Sequence, residues 1–93
     1  MKNININRIR KKLDIIDIKL LNIIKERSKL VDQILRFKKS KKEIVDNQRI
    51  SFILKRIRKY SLKVKIDPRI TRSIWKEMIK GFIKYEFRKF KKK

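Results

Sequence analysis

Hydrophobic side chains recur along the first third of the chain in alternating steps of four and three residues. They are Ile9, Leu13, Ile16, Leu20, Ile23, Leu30, Ile34 and Phe37. This spacing places them on one face of an α-helix. We expect the helix to span residues 5–39, with Asn3, Asn5 or Asn7 as its N-cap. Arg27 interrupts the pattern at a position that calls for an apolar residue.

A helix of this length is too long for one chain of 93 residues to cover. It would measure about 50 Å, whereas a compact domain of this size has a radius of gyration of only about 13 Å. We therefore expect its apolar face to be buried against a second copy of the chain, in an obligate homodimer.

Two shorter helices follow the charged segment KKSKKE, which we expect to be a solvated loop. The second should span residues 46–61 with Asp46 as its N-cap. The third should span residues 67–88 and begin at Asp67-Pro68, a capping carboxylate followed by proline at the first helical position. A basic tail, residues 88–93, completes the chain. Strict strand-like alternation never lasts more than a few residues, so the sequence predicts one all-α domain over residues 1–93.

The net charge of +22, from 31 basic and 9 acidic residues, suggests a polyanionic partner such as nucleic acid. Composition offers another cause. The chain has no alanine and one glycine and one proline, but many lysines, isoleucines and asparagines, the pattern of an AT-rich genome. Because the basic residues are spread rather than clustered, we favour this explanation and expect no specific nucleic-acid partner. A small nucleic-acid-binding protein remains an alternative.

The composition also restricts the available chemistry. No cysteine and no histidine are present, and the acids are scattered, so we expect no disulfide, no thiolate chemistry and no metal site. The N-terminus lacks the apolar core of a secretory signal, and no apolar run is long enough to span a membrane. We expect a cytoplasmic protein that binds no membrane.

Polar side chains on the apolar faces are the candidates for function. Arg27 and Lys38 are eleven residues apart, which is three helical turns with only about 20° left over, so they should project from nearly the same side about 16 Å apart. Two such cations could clamp an anion. The ordinary alternative for Arg27 is a packed stem whose guanidinium reaches water.

Glu86 lies on the apolar face of the third helix. Burial among apolar groups favours its protonated form, whereas nearby cations oppose this, and a salt bridge to a lysine is the ordinary alternative. Arg49 lies near an apolar face of the second helix, but it could simply pair with Asp46. Arg10 flanks the first stripe and is ambiguous. Together these groups could bind a small dianion and stabilise charge that develops within it.

Four segments carry a resemblance to a known family. They are IRKKLDIIDIKLLNIIKERSKLV, ILRFKK, VDNQRISFIL and IDPRITRSIWKEMIKGFIKYE. In order and spacing they are similar to the all-helical chorismate mutases, the type II family, from about Ile6 to Glu86. The resemblance implies three helices per chain and two intertwined chains with shared active sites. It also implies the cofactor-free Claisen rearrangement of chorismate to prephenate in the shikimate pathway, which feeds phenylalanine and tyrosine synthesis.

The resemblance also implies roles for single residues. Arg10 would reach a substrate carboxylate from the partner subunit, and Arg27 would bind a carboxylate in its own site. Lys38 would lie at the ether oxygen and a carboxylate, and Glu86 would form a hydrogen bond to the ether oxygen. Asp46 would lie near the substrate hydroxyl, and Arg49 would help to close the site. Of these six substrate-binding residues, Lys38, Glu86 and Arg27 would be catalytic.

Two positions depart from the family pattern. Ile50 stands where a glutamate commonly accepts a hydrogen bond from the substrate hydroxyl, and Phe82 stands where a small polar residue can contact a carboxylate. Because isoleucine accepts no hydrogen bond, isochorismate pyruvate lyase, which has the same fold, remains an alternative. A helical dimer without activity is the third possibility.

Overall fold

The computed structural model describes the backbone of residues 2–91 and the side chains from Asn5 onward. Three α-helices form this part of the chain. They are α1 (Lys2–Phe37), α2 (Asn47–Lys63) and α3 (Pro68–Lys89), with a single 3₁₀ turn at Lys41–Glu43 between α1 and α2. No strand occurs between residues 2 and 91, so the described chain is all-helical, as the sequence predicted.

The helix boundaries differ from the predicted ones by one to three residues. α1 begins at Lys2 and ends at Phe37 rather than spanning residues 5–39. The expectation of an asparagine N-cap is wrong, because the backbone is helical through positions 3, 5 and 7. α2 continues to Lys63 and α3 to Lys89, where Phe90 donates its backbone N–H to the Glu86 carbonyl at 2.8 Å. Residues 92 and 93 of the expected tail lie outside the described residues.

The charged segment after α1 is more ordered than the loop that the sequence predicted. The backbone N–H of Lys38 donates to the Leu35 carbonyl at 3.1 Å. The Glu43 carboxylate then accepts hydrogen bonds from the backbone N–H groups of Ser40, at 2.9 Å, and Lys39. These two bonds, the one from Ser40 first, hold the pKa of Glu43 below its usual range. Glu43 thus stabilises the 3₁₀ turn and the end of α1 together.

The two predicted aspartate caps are present. The Asp46 carboxylate accepts a hydrogen bond from the Arg49 N–H at 3.0 Å at the start of α2. Asp67 accepts from the Arg69 N–H at 2.9 Å and from the Arg69 guanidinium, and Pro68 follows it at the first helical position. The guanidinium, and then the backbone bond, hold the pKa of Asp67 below its usual range. Both caps occupy helix N–H groups that have no partner within the helix.

α2 ends in a Schellman motif that turns the chain into α3. Lys65 adopts a left-handed conformation with φ of 63°. Its N–H donates to the Leu62 carbonyl at 3.3 Å, and the Ile66 N–H donates to the Ser61 carbonyl at 2.9 Å, the two bonds that define this motif. The sequence offered no glycine here to indicate the turn, and α2 was therefore predicted to end two residues early.

Two buried hydroxyl groups join α2 to α3. Ser61 Oγ and Thr71 Oγ1 lie 2.7 Å apart. Each hydroxyl also lies within hydrogen-bond distance of a backbone carbonyl, Ser61 of Ile57 at 2.6 Å and Thr71 of Pro68 at 3.3 Å, so either one can supply the proton of the bond between them. Because a buried hydroxyl is costly without a partner, this bond favours one register of the two helices.

The chain divides into two compact units, one up to Val31 and one from Asp32 onward. The first unit is the greater part of α1, and its apolar stripe is exposed, with Ile9 at 58%. The second unit holds the end of α1 together with α2 and α3. The buried hydrophobic side chains of the described residues all belong to it, and they are Leu35, Ile44 and Ile79. The single domain over residues 1–93 stays a prediction.

Candidate active site

A contact between Lys38 and Glu86 lies at the centre of the candidate site. Lys38 is the first residue after α1, and Glu86 is in the last turn of α3. The Lys38 Nζ atom lies 2.8 Å from Glu86 Oε1, and the two side chains are only 18% and 9% exposed. The sequence predicted a functional role for both residues, and the salt bridge foreseen as the ordinary alternative for Glu86 is present too.

This contact holds two ionisable side chains together where little water reaches them. A lysine ammonium group has three N–H donors, and only one is needed for the bond to Glu86. A second donor of Lys38 can therefore reach an oxygen of a bound molecule without loss of the bond to Glu86. Electrostatic effects are strong in such a partly desolvated position because the local dielectric is lower than that of water.

A second polar contact lies beside the first, and the sequence gave no sign of it. The Tyr85 hydroxyl donates a hydrogen bond to Asp32 Oδ1 at 2.6 Å, and both side chains are half-buried. This bond, followed by burial, raises the pKa of Tyr85. Asp32 is one of many polar residues on α1 and lies outside the apolar stripe, so periodicity could not single it out.

Asp46 lies with Lys38 on an open groove of about 540 Å³. The groove is lined by Ile34, Phe37, Lys38, Lys42, Glu43, Val45, Asp46, Asn47 and Gln48. Arg49, one turn into α2, is exposed, and its guanidinium carbon lies 5.2 Å from the centre of the Phe52 ring. The bond between Asp46 and Arg49 runs through the backbone N–H of Arg49 rather than through its guanidinium.

The other two candidates belong to the first unit. Arg10 is exposed on α1, and Arg27 is half-buried with its Nη1 atom shielded from solvent. The position of Arg27 in an apolar stripe is thus accompanied by partial burial of its charged group. Convergence of Arg27 with Lys38 stays a prediction, since the two residues belong to different units.

Most of the chain matches a known protein family. The family model described as chorismate mutase type II matches residues 9–87. The chain belongs to this family. All six predicted site residues fall within the match, and the membership supports chorismate mutase activity, an isomerisation, in general terms. No curated protein and no solved structure gives a significant match.

The two departures from the chorismate mutase pattern are both apolar in the structure. Ile50 is half-buried near the start of α2. The Phe82 ring meets the Tyr85 ring edge to face, with the ring centres 6.4 Å apart and the planes at 86°. In this member of the chorismate mutase type II family, Ile50 therefore offers no acceptor for a hydroxyl group, and Phe82 offers no polar contact for a carboxylate.

Metal ligands and membrane segments were also sought in the described residues. Between residues 2 and 91, no group of three or more histidine, cysteine, aspartate or glutamate side chains could hold a metal ion. In the same part of the chain, none of the helices combines the length and the apolar character that crossing a membrane requires.

Proposed function

We propose that this protein is a chorismate mutase that converts chorismate to prephenate for phenylalanine and tyrosine synthesis. In this reaction the ether C–O bond breaks while a C–C bond forms within the same molecule, so no cofactor or second substrate is consumed. The observation that carries the proposal is the part-buried contact between Lys38 Nζ and Glu86 Oε1 at 2.8 Å. Both residues lie within the region that the family model matches, and they are the two groups proposed to contact the ether oxygen.

The chemistry of the rearrangement explains why such a pair would accelerate it. Negative charge grows on the ether oxygen as the C–O bond breaks. A donor from Lys38, and one from Glu86 in its protonated form, would bind this oxygen more strongly in the transition state than in the ground state. Donors held in place before the reaction stabilise developing charge without reorganisation.

The other site residues would bind and shape the substrate. Arg27 and Arg10 would bind its carboxylates, Arg10 from the partner subunit. Arg49 would close the site, and Asp46, on the groove that also contains Lys38, would approach the hydroxyl. Holding a flexible dianion in its folded conformation removes much of the entropic cost of the reaction.

A homodimer is part of the proposal, and the exposed apolar surface supports it. Along α1 the stripe remains about half exposed or more, up to 83% at Phe37. Completing the burial of each such side chain would gain about 1 kcal/mol. A second copy of α1 is the natural cover, because it presents the same long apolar stripe. Each active site would then draw Arg10 from the other subunit.

Isochorismate pyruvate lyase is the second candidate, and the apolar Ile50 favours keeping it. Chorismate and isochorismate carry their hydroxyl groups at different ring positions. A site without the usual glutamate could therefore prefer either compound. A lyase would release salicylate and pyruvate instead of forming prephenate.

Product analysis with both substrates tests the proposal. We expect the purified protein to convert chorismate to prephenate between about pH 5 and pH 8. Lys38→Met should lower kcat by about 10²–10³-fold, as loss of one transition-state donor typically does. Lys39→Met is the matched control, because the Lys39 side chain is exposed and adjacent. Salicylate and pyruvate from isochorismate would instead identify the lyase, and no turnover of either compound would refute both activities.

A further inference from the structure

Two side-chain hydrogen bonds join α3 to the end of α1 and to Lys38, the residue that follows α1. Lys38 bonds to Glu86 at 2.8 Å, and Tyr85 bonds to Asp32 at 2.6 Å. The α3 partners are consecutive residues, whereas Asp32 and Lys38 are six residues apart in the chain. The two bonds thus hold α3 to this segment at two separate residues.

The Tyr85 bond is suited to holding a fixed geometry. The phenol donates to a carboxylate, and bonds of this charge-assisted kind are shorter and stronger than neutral ones. The Tyr85 ring also packs edge to face against Phe82, which limits its movement. Because the pKa of Tyr85 is raised, the phenol keeps its proton throughout the neutral range.

We propose that Tyr85 and Asp32 form a positioning pair that holds Glu86 against Lys38 for the reaction. This inference rests on the proposed function. A helix held at one polar contact can rotate or slide about that point, but a second contact removes this freedom. A displacement of about 1 Å at a reacting centre can cost a hundredfold in rate. The pair itself touches no reacting atom.

Substitution of Tyr85 gives the first test. Tyr85→Phe keeps the ring and removes only the hydroxyl, and we expect it to lower kcat by about ten- to a hundredfold with little change in KM. Tyr60→Phe is the matched control, since Tyr60 is an exposed residue of α2, and its kcat should stay near that of the native protein. Equal kcat values for Tyr85→Phe and the native protein would overturn the proposal.

The Asp32 variants separate the hydrogen bond from packing. Asp32→Asn retains an acceptor for the Tyr85 hydroxyl, so most of the activity should remain. Asp32→Leu removes the acceptor and should reproduce the kcat loss of Tyr85→Phe. If the asparagine and leucine variants lose activity equally, the hydrogen bond is not what positions the site.

A double-variant comparison distinguishes positioning from a general effect on the fold. If Tyr85 acts through Glu86, then Tyr85→Phe should cost little further kcat in a Glu86→Leu background, where there is no carboxyl group to position. A purely structural role predicts the same fold loss in both backgrounds. That additive result would refute the inference.

Failure of the proposed function would be recognised separately. It would appear as native protein that consumes neither chorismate nor isochorismate. Thermal unfolding then tests the pair without activity, because Lys38→Met should lower Tm less in a Tyr85→Phe background than in the native one. Equal Tm losses in both backgrounds would show that the two contacts are independent, and the positioning proposal would fail.

Discussion

Replacement of Glu86 by glutamine tests the central chemical step, because it places a permanent hydrogen-bond donor at position 86. Glu86 Oε1 accepts a hydrogen bond from Lys38 Nζ at 2.8 Å, and only a protonated carboxyl group could donate one to the ether oxygen. Glu86→Gln carries an amide N–H of nearly the same reach, and its amide oxygen can still accept from Lys38. Glutamine should therefore support the reaction at least as well as glutamate.

The expected magnitudes follow from the donor that each side chain supplies. Glu86→Gln should have a kcat within about tenfold of the native value or above it, because its amide N–H takes the place of the carboxyl donor. Glu86→Leu supplies no donor and should be about 10²–10³-fold slower than the native protein.

The assay is kcat for chorismate consumption by the native protein and both variants in one buffer at constant ionic strength. Constant salt matters because the field of a protein with net charge +22 would attract an anionic substrate and is screened by ions. A Glu86→Gln variant as slow as Glu86→Leu would show that a donor at position 86 does not support the reaction. A leucine variant as fast as the native protein would show that position 86 donates nothing to the transition state.

Three further predictions concern the fold and the assembly. Lys65→Gly should raise the free energy of unfolding by about 1 kcal/mol in thermal unfolding, because a left-handed lysine is strained. The control Lys63→Gly, within α2, should lower it by a similar amount. A destabilising Lys65→Gly would contradict the Schellman motif. Since folding lowers the pKa of Glu43, the ionised side chain stabilises the fold above its ordinary pKa, and this effect is lost as pH falls through the lowered pKa. The Tm difference between the native protein and Glu43→Ala should therefore vanish in acid. A Tm difference that stays constant with pH would refute this role of Glu43. Ile16→Lys, in the exposed stripe of α1, should give monomers in sedimentation and little kcat, whereas an active dimer would rule out this stripe as the interface.

The number and type of the helices could be predicted because periodicity and capping are local properties. Asp46 and Asp67 stand directly before apolar-periodic segments, and both cap helices in the structure. The end of α2 was misplaced because a lysine, not a glycine, adopts the left-handed conformation of the turn. The start of α1 was misplaced because asparagine is a good N-cap but is also tolerated within a helix.

The site was only partly accessible to sequence reasoning. Glu86 was predictable because it lies on an apolar helix face, and Lys38 because it lies eleven residues after Arg27, which interrupts the apolar stripe. Asp32 and Tyr85 carry no such signal, because their partnership depends on how α3 meets α1, a relation between residues 53 positions apart. Ser61 and Thr71 were likewise invisible, since a helix–helix hydroxyl bond has no spacing rule along the chain.

The way in which α1 ends restricts the number of residues in the segment that follows it, as well as their types. Lys38 follows the last helical residue, and the carboxylate of Glu43 secures the next two backbone N–H groups. One residue inserted into the end of α1 would turn the following side chain by about 100° and carry the ammonium away from Glu86. Homologues that keep the Lys38–Glu86 pair should therefore tolerate substitutions in this segment far more readily than single insertions or deletions.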